Sequence, residues 1–342
     1  MSEPSPRWTL AELRSHVQAA IELELFTIPA YLTAYYSIRQ GASAAADRAA
    51  DAFLAIFGQE MLHVELACNI VNALGQPPRL TGRAAPSYPG PVPSHKDRLI
   101  VTLGPATEAQ IEAFIAIELP IDRDPSGRRY QPPQASYGTI GELYDALRFG
   151  LWQVFGEDGT PWPTAAHPSI QRSFDDDHFA ITDVASALRA LDLIILQGEG
   201  ASLERPTEDH GQLAHHDRLK ALLGTLGPGD LRPMRPGSAG IDAGSREARL
   251  LDFFDACYSH LLRLLEGAFT EKNKIGLPVG LMSTVITPLA LHIAETHAGE
   301  GEGTLTPRFR YVATAPAQAY GALDAVDRGA QNVVEVAAAL RL

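Results

Sequence analysis

Cysteine is scarce in this chain: Cys68 and Cys257 are the only two among 342 residues. They lie far apart, each inside an apolar stretch with helical spacing, so we predict core thiols rather than a disulfide framework. Basic residues are also few, since 28 Lys and Arg stand against 41 Asp and Glu. The resulting formal charge of −13 disfavours nucleic acid or an anionic membrane as the main partner.

Long apolar runs and strand patterns are missing as well. No stretch reaches the roughly 20 apolar residues that a membrane-spanning helix needs, and residues 1–8 lack a basic-then-apolar signal. We find no segment in which apolar and polar side chains alternate as they do in a half-buried strand. We therefore expect a cytoplasmic, all-α protein, in which 45% hydrophobic content supplies a substantial core.

Helical patterns run through most of the sequence. Thr9 and Glu12 form a capping-box pattern that opens a first helix, which we extend to about Ile38 with a bend or interruption at Pro29. A second helix is predicted at about 44–74, ending at Gly75. Further helices are predicted at about 108–119, 140–155, 182–198, 212–223, 245–270 and 277–297. The Pro- and Gly-rich stretch 81–105 fits the long crossover of some four-helix bundles.

The composition divides the chain into three regions. We predict a helical domain at 1–225, a Gly/Pro-rich linker at 226–244, and a helical C-terminal region at 245–342 packed on the same body. The sequence leaves the oligomeric state open, with a homodimer as the commonest outcome for soluble oligomers.

The first two helices carry the residues that point to chemistry. Glu60 and His63, spaced Glu-x-x-His, fall within the apolar stripe of the second helix. Glu24 falls within the apolar stripe of the first helix, whereas Glu22 lies on a more polar face. A carboxylate that faces a core is costly unless it is paired or bound to metal. An antiparallel helix pair with these residues supplies half of a di-metal site in a four-helix bundle.

The second half of such a site has several candidates. Glu199 ends the apolar stripe of the 182–198 helix, and His215 shares a face with nearby leucines. Gln212 stands three residues before His215, where a second Glu-x-x-His would have glutamate. For the remaining carboxylate, helical phase favours Glu118, whereas Glu142 lies on a smaller apolar flank. Glu142 also fits a simpler interpretation, a first-turn residue stabilised by the helix dipole.

The donor set indicates which metal would bind. Four carboxylates with two histidines suit iron, with manganese as the alternative, better than zinc or copper. Tyr31 and Tyr35 on the first helix are predicted to lie near the site as catalytic residues, where a phenol could donate a hydrogen bond or be oxidised.

Residues 20–32 and 60–75 resemble the ferritin-like domain of the iminophenyl-pyruvate dimer synthases, and looser likenesses occur at 114–120, 140–144, 197–200 and around His215. The resemblance covers roughly residues 10–225. It implies a ferritin-like four-helix bundle that can hold two metal ions, to which the sequence pattern adds long loops and additional C-terminal helices. On this resemblance Glu142 completes the set of metal ligands Glu24, Glu60, His63, Glu142, Glu199 and His215, with Glu118 as its rival.

The same resemblance implies a function. We expect a non-haem di-iron oxidase or oxygenase that uses O₂ on a small amino-acid-derived or aromatic metabolite of secondary metabolism. Residues 1–342 do not include the large additional region of those synthases, so we do not carry over their particular reaction. The alternative is a metal-binding ferritin-like protein without substrate turnover.

Overall fold

A computed structural model describes residues 7–120, 131–163, 171–173, 179–198, 213–235, 241–242, 244–270, 276–298 and 303–313. Helices dominate these residues, which confirms the predicted all-α class. The helices are α1 Leu10–Ser37, α2 Ala44–Ala73, α3 Glu108–Ile117, α4 Ile140–Leu151, α5 Val184–Gly198, α6 His215–Leu222, α7 Arg246–Thr270, α8 Gly276–Leu281 and α9 Thr287–Glu295. Two short strands, β1 Gly90–Pro91 and β2 Ile100–Val101, pair antiparallel in the connection between α2 and α3.

Helix α1 begins and continues for identifiable reasons. The amide of Glu12 donates to the Thr9 side chain, and the Glu12 carboxylate accepts from the Thr9 amide at 2.8 Å, so the predicted capping box is confirmed. Pro29 lies inside α1, yet the helix runs on to Ser37, so the expected interruption does not occur. Every residue from 23 to 34 is buried, and this tertiary packing offsets the hydrogen bond that Pro29 cannot donate.

Helix α2 matches its predicted span closely. Its first turn is capped by the Ser43 hydroxyl, which accepts from the Ala46 amide at 3.0 Å. It ends before Gly75, whose φ of +79° is a left-handed conformation that glycine adopts without strain.

Four helices form the bundle that positions the site. Helix α1 packs against α2 and α4, and α5 also packs against α2 and α4, so the four close into a ring. Helix α4 is prolonged by a π-helical turn at Trp152–Glu157. Helices α3 and α6 pack on each other, and α6 also contacts α2 and α5.

The C-terminal helices pack on the same bundle. Helix α7 contacts α2, α9 contacts α1, and one apolar cluster extends from Trp8 to Phe309. Part of the predicted linker lies on α1, because the Arg232 guanidinium donates to the carbonyls of Tyr36 and Ile38 at the end of that helix. The division into three regions at 225 and 245 stays a prediction.

Within the described part of the chain, two helical segments are long and apolar enough to cross a membrane, Ala44–Ala73 and Pro278–Glu295. Neither segment was predicted from the sequence as a membrane span. The most apolar window of the first is 67% buried within the protein, and that of the second is 44% buried. The first is α2, which also carries Glu60 and His63 and packs against α1, α5, α6 and α7.

Candidate metal centre

Five buried residues meet inside the bundle, each at most 4% exposed. They form two triads, Glu24–Glu60–His63 and Glu60–Glu118–His215, and within each triad one donor atom from every residue lies within 4.8 Å of the others. Glu60 belongs to both triads. Three of the five come from the middle of α1 and α2, while Glu118 follows the last residue of α3 and His215 is the first residue of α6.

Both imidazoles direct their Nδ1 atoms at the carboxylates. His63 Nδ1 lies 3.2 Å from Glu24 Oε2 and 3.9 Å from Glu60 Oε1. His215 Nδ1 lies 3.0 Å from Glu60 Oε1 and 3.7 Å from Glu118 Oε1. The two rings are nearly parallel, at an angle of 28° with centroids 5.5 Å apart. The shared Glu60 Oε1 thus faces both imidazoles.

The opposite nitrogens of the two rings are held by glutamines. His63 Nε2 lies 3.1 Å from Gln197 Oε1 on α5, and His215 Nε2 lies 3.1 Å from Gln59 Oε1 on α2. When the ring is neutral, an Nε2–H donated to an amide oxygen leaves on Nδ1 the lone pair through which histidine binds metal.

His215 Nδ1 is an orphaned buried atom that a cation would satisfy. Although Glu60 Oε1 is 3.0 Å away, the angles do not form a hydrogen bond, and Nδ1 has no hydrogen-bond partner among the described residues. A buried acceptor that faces carboxylate oxygens without a proton between them is costly. Because a metal ion between these atoms would be attracted to all of them, the residues present fit a metal.

A hydroxyl group donates to each of the three carboxylates. Thr27 donates to Glu60 Oε2, Tyr144 of α4 donates to Glu24 Oε1, and Tyr31 donates to Glu118 Oε1 at 2.5 Å. In Glu24 and Glu60 the hydroxyl holds one oxygen, while the other oxygen faces the histidines. These hydrogen bonds fix the rotamers in which the free oxygens converge.

Burial and close neighbours together raise the pKa of one carboxylate of the cluster, Glu60, and lower that of another, Glu24. Burial raises the pKa of Glu60 well above its usual value, and the charges of Glu24 and Glu118 raise it further. Burial also acts to raise the pKa of Glu24, but the hydrogen bond and charge of His63, together with the hydrogen bonds of Tyr144 and Glu60, outweigh burial and lower that pKa. Burial lowers the pKa of His63, but Glu24 and Glu60 outweigh burial and raise it.

The two tyrosines beside the cluster keep their protons. Burial raises the pKa of both Tyr31 and Tyr144 well above its usual value, and the neighbouring carboxylates raise each further. Both phenols therefore act as hydrogen-bond donors at neutral pH.

The walls of the site are apolar and the space inside is small. Ile140, Ile194 and Ile195 line it together with the cluster, and none of the described lining residues is Lys or Arg. The free space is about 10 Å³, close to the volume of one water molecule or ion. Three carboxylates thus share a small apolar site in which, among the residues that the structure describes, the histidines are the only side chains that can carry positive charge.

The structure brings together five of the residues that the sequence singled out: Glu24, Glu60, His63, His215 and the rival candidate Glu118. Glu142, which the resemblance favoured, belongs to neither triad, and whether it binds metal stays a prediction. Its carboxylate instead accepts from the Gly138 amide at 2.7 Å, in the first turn of α4. There it satisfies an amide at the start of the helix, as the simpler interpretation expected. Glu199 and Gln212 lie outside the described residues.

The two tyrosines predicted as catalytic residues lie in different places. Tyr31 contacts Glu118 directly. Tyr35, one turn further along α1, is half-buried; its hydroxyl accepts from Gln40 Nε2 at 2.9 Å and its ring packs on Tyr36. It is therefore not part of the cluster, because α1 has passed the site by that turn.

Four polar residues around the cluster were not identified from the sequence: Thr27, Gln59, Tyr144 and Gln197. The helical positions of two of these residues could have indicated their place beside the cluster. Thr27 lies one turn after Glu24, and Tyr144 is in phase with the buried Ile140 and Leu147 on α4. The positions of the two glutamines could not have indicated this, because amide side chains at the edge of an apolar helix face are common.

Comparisons with known proteins agree with this architecture. A family model described as "Ferritin-like" matches residues 17–224, a range that includes all five cluster residues. The chain is 27% identical over 191 residues to dichlorochromopyrrolate synthase of Lentzea aerocolonigenes, which covers 51% of this chain and 18% of that enzyme. It is 24% identical over 360 residues to 2-imino-3-(indol-3-yl)propanoate dimerase of Chromobacterium violaceum, covering 87% of this chain and 33% of that enzyme. The chain thus spans no more than a third of either enzyme.

A solved structure is similar over nearly its whole length. The ferritin-like protein from Caulobacter vibrioides has a TM-score of 0.65 and 27% identity, covering 84% of this chain and 96% of that one. The likeness therefore extends well beyond the matched family region.

Proposed function

The chain belongs to the ferritin-like family, and we propose that its buried cluster holds two metal ions, iron or alternatively manganese. Its predicted ferritin-like fold is confirmed. Glu24 and His63 would hold one ion, and Glu118 and His215 the other. Glu60 would bind both. The observation that carries this proposal is the sharing of Glu60 between two triads of donor atoms, since a carboxylate that bridges two ions must face both at once.

Charge balance supports two divalent cations. The three carboxylates lie together in an apolar cavity whose described lining includes no Lys or Arg. Removing several like charges from water costs far more than hydrogen bonds to neutral groups return. Carboxylate oxygens and imidazole nitrogens are donors that suit iron and manganese. Whether Glu199 adds a fourth carboxylate stays a prediction.

We further propose an O₂-dependent oxidase or oxygenase that acts on a small amino-acid-derived or aromatic metabolite of secondary metabolism. Both named relatives are enzymes, and the name of one, 2-imino-3-(indol-3-yl)propanoate dimerase, states an indole-bearing imino acid. A reduced iron pair, when bound, would supply electrons to O₂.

The side chains around the cluster have roles suited to that chemistry. Tyr31 and Tyr144 each hold a proton at a carboxylate of the cluster, Tyr31 at Glu118 and Tyr144 at Glu24. Gln59 and Gln197 orient the two imidazoles through Nε2. The isoleucines at 140, 194 and 195 exclude water from the site.

Metal loading followed by exposure to O₂ tests the proposal. The full chain would be purified without oxygen, reconstituted with Fe(II), freed of loose metal, and then followed by iron analysis, optical spectroscopy and O₂ uptake. We expect about two irons per chain and an optical change on exposure to O₂. Glu60→Ala should lose both, while Glu142→Ala, the matched control outside the cluster, should keep both.

Two outcomes would count against parts of the proposal. Fewer than about half an iron per chain, with Glu60→Ala no different from the unmodified protein, would contradict the metal centre. Two irons per chain without O₂ uptake, even when indole-bearing amino or imino acids are supplied, would contradict the oxidase and favour metal binding without turnover.

A further inference from the structure

A second cavity lies outside the metal cluster, between the first two helices and the C-terminal helices. Its volume is about 340 Å³, within the range of pockets that bind small molecules. Ile28 and Leu32 of α1, Met61 of α2, and Leu261 and Leu265 of α7 line it, and residues of α8 and the turn that follows complete the wall.

This pocket is separate from the cluster although it uses the same two helices. Of the described residues, none lines both cavities. Leu25 and Met61 line the pocket and directly follow Glu24 and Glu60 in the sequence. Consecutive residues point about 100° apart around a helix, so pocket and cluster lie on different faces of α1 and α2.

The lining of the pocket selects against charged ligands. All of the described lining residues are uncharged, and apart from Ser283, Thr287 and two tyrosines they are apolar. The hydroxyls of Tyr36 and Thr287 lie 3.2 Å apart and hydrogen-bond to each other. A charged ligand would lose its hydration here without gaining a partner.

One polar group of the lining has no partner. Tyr258 is 3% exposed, packs its ring on Phe309, and its hydroxyl has no hydrogen-bond partner within the described ranges. Leaving a buried hydroxyl unbonded costs free energy. A ligand that carries a hydrogen-bond acceptor would remove that cost.

The pocket opens to the surface next to an irregular helical turn. Leu54 is 49% exposed and Val279 is 37% exposed, and both line the cavity, so they mark its mouth. The adjoining wall is formed in part by Met282 and Ile286 of a π-helical turn between α8 and α9. Such turns are rare in proteins and frequently occur at functional sites.

We propose that this pocket binds one uncharged, largely apolar small molecule whose hydrogen-bond acceptor pairs with Tyr258. The site does not depend on metal, so its test is independent of the proposed function.

The neutral fluorophore N-phenyl-1-naphthylamine is a suitable probe, titrated against the full chain with and without bound metal. We expect about one probe per chain, with enhanced fluorescence in both metal states. Ser283→Trp places a large ring at an exposed lining position and should weaken binding at least about tenfold. Ile100→Trp, at an exposed apolar residue of β2 away from the pocket, should bind as the unmodified protein does.

Three outcomes would overturn this assignment. One is no binding by the unmodified chain, which is also the result expected if a second copy of the chain fills the pocket. Another is equal binding by Ser283→Trp and the unmodified protein, which would place the probe elsewhere. A third is loss of binding in Ile100→Trp alone.

Tyr258→Phe tests the acceptor with a pair of ligands of matched shape. Displacement of the probe by 2-acetylnaphthalene, which has a ketone oxygen, is compared with displacement by 2-ethylnaphthalene, which has none. We expect Tyr258→Phe to weaken the first about three- to tenfold and to leave the second unchanged. Equal effects on both ligands, or none on either, would contradict the role of Tyr258.

Discussion

The two halves of the metal cluster are built differently. Glu24, Glu60 and His63 come from the middle of α1 and α2, two helices of 28 and 30 residues. Glu118 lies one residue beyond α3, and His215 is the first residue of α6, two helices of 10 and 8 residues. One half is therefore fixed by regular helical phase, and the other by where short helices begin and end.

This difference determines how each half holds its ligands. In the first half, the spacing of Glu60 and His63 is set by the helix itself, and α1 packs along α2 to add Glu24. In the second half, the packing of α3 on α6 must bring two helix ends to the same point. The first half should therefore tolerate substitutions elsewhere in the fold better than the second.

Replacing Glu60 should have the largest effect, because both halves share it. Glu60→Gln should reduce bound iron from about two per chain to less than about half, measured by metal analysis after anaerobic reconstitution. Retention of one tightly bound iron would show that the halves bind metal independently.

The same variant should be more stable than the unmodified protein once both are free of metal. The pKa of Glu60 in the folded state is raised well above 4.5, so the folded protein binds the proton of the Glu60 carboxyl more tightly than the unfolded chain does. The folded state therefore loses stability as the pH rises above about 4.5. At pH 7 the free energy of unfolding of Glu60→Gln should exceed that of the unmodified protein by about 1 kcal/mol or more, and near pH 4 the two should differ little. Denaturant titrations at the two pH values measure this, and a less stable variant at pH 7 would contradict it.

Removing one histidine at a time should separate the two halves. His63→Ala and His215→Ala should each retain about one iron per chain after reconstitution. If either substitution releases both ions, the halves are coupled through more than Glu60.

Glu118 and Glu142 form a matched pair for the second half. Glu118→Ala should lose about one iron per chain without much loss of stability, because it removes a buried carboxylate crowded by others. Glu142→Ala should keep both irons and cost about 0.5–1 kcal/mol of unfolding free energy, since its carboxylate accepts from the Gly138 amide at the start of α4. Loss of iron in Glu142→Ala, with none in Glu118→Ala, would instead identify Glu142 as the ligand.

The phenols around the cluster should have the smallest effects. Tyr31→Phe and Tyr144→Phe should each weaken metal affinity about 10- to 100-fold without changing the stoichiometry at saturation. Tyr35→Phe is the control, because its hydroxyl contacts Gln40 rather than the cluster. Competition with a chelator measures all three, and an equal loss in Tyr35→Phe would show a general effect on the fold.

The sequence could predict most of the fold and the first half of the cluster. Thr9, Glu12 and Gly75 have local roles that hold in any helix, so the ends of α1 and α2 were predicted closely. Glu24 and Glu60 were recognised because a carboxylate within an apolar stripe breaks a regular pattern. The expected interruption at Pro29 failed because tertiary packing around α1 overrides a local preference.

The second half could be predicted only in part. Helical phase favoured Glu118, but the resemblance favoured Glu142, and the first-turn position of Glu142 in α4 already offered it another role. Ligands at helix ends follow no period, so phase cannot show that Glu118 and His215 meet. Tyr144 and the glutamines are recognisable only once the cluster is assembled.

Anomalous diffraction at the iron edge, from crystals reconstituted without oxygen, would show whether two metal ions share Glu60. We expect two peaks, about 3.5–4 Å apart, with Glu60 in contact with both, Glu24 and His63 at one, and Glu118 and His215 at the other. Two peaks that do not share Glu60, or no peak among these five residues in crystals that contain iron, would contradict it.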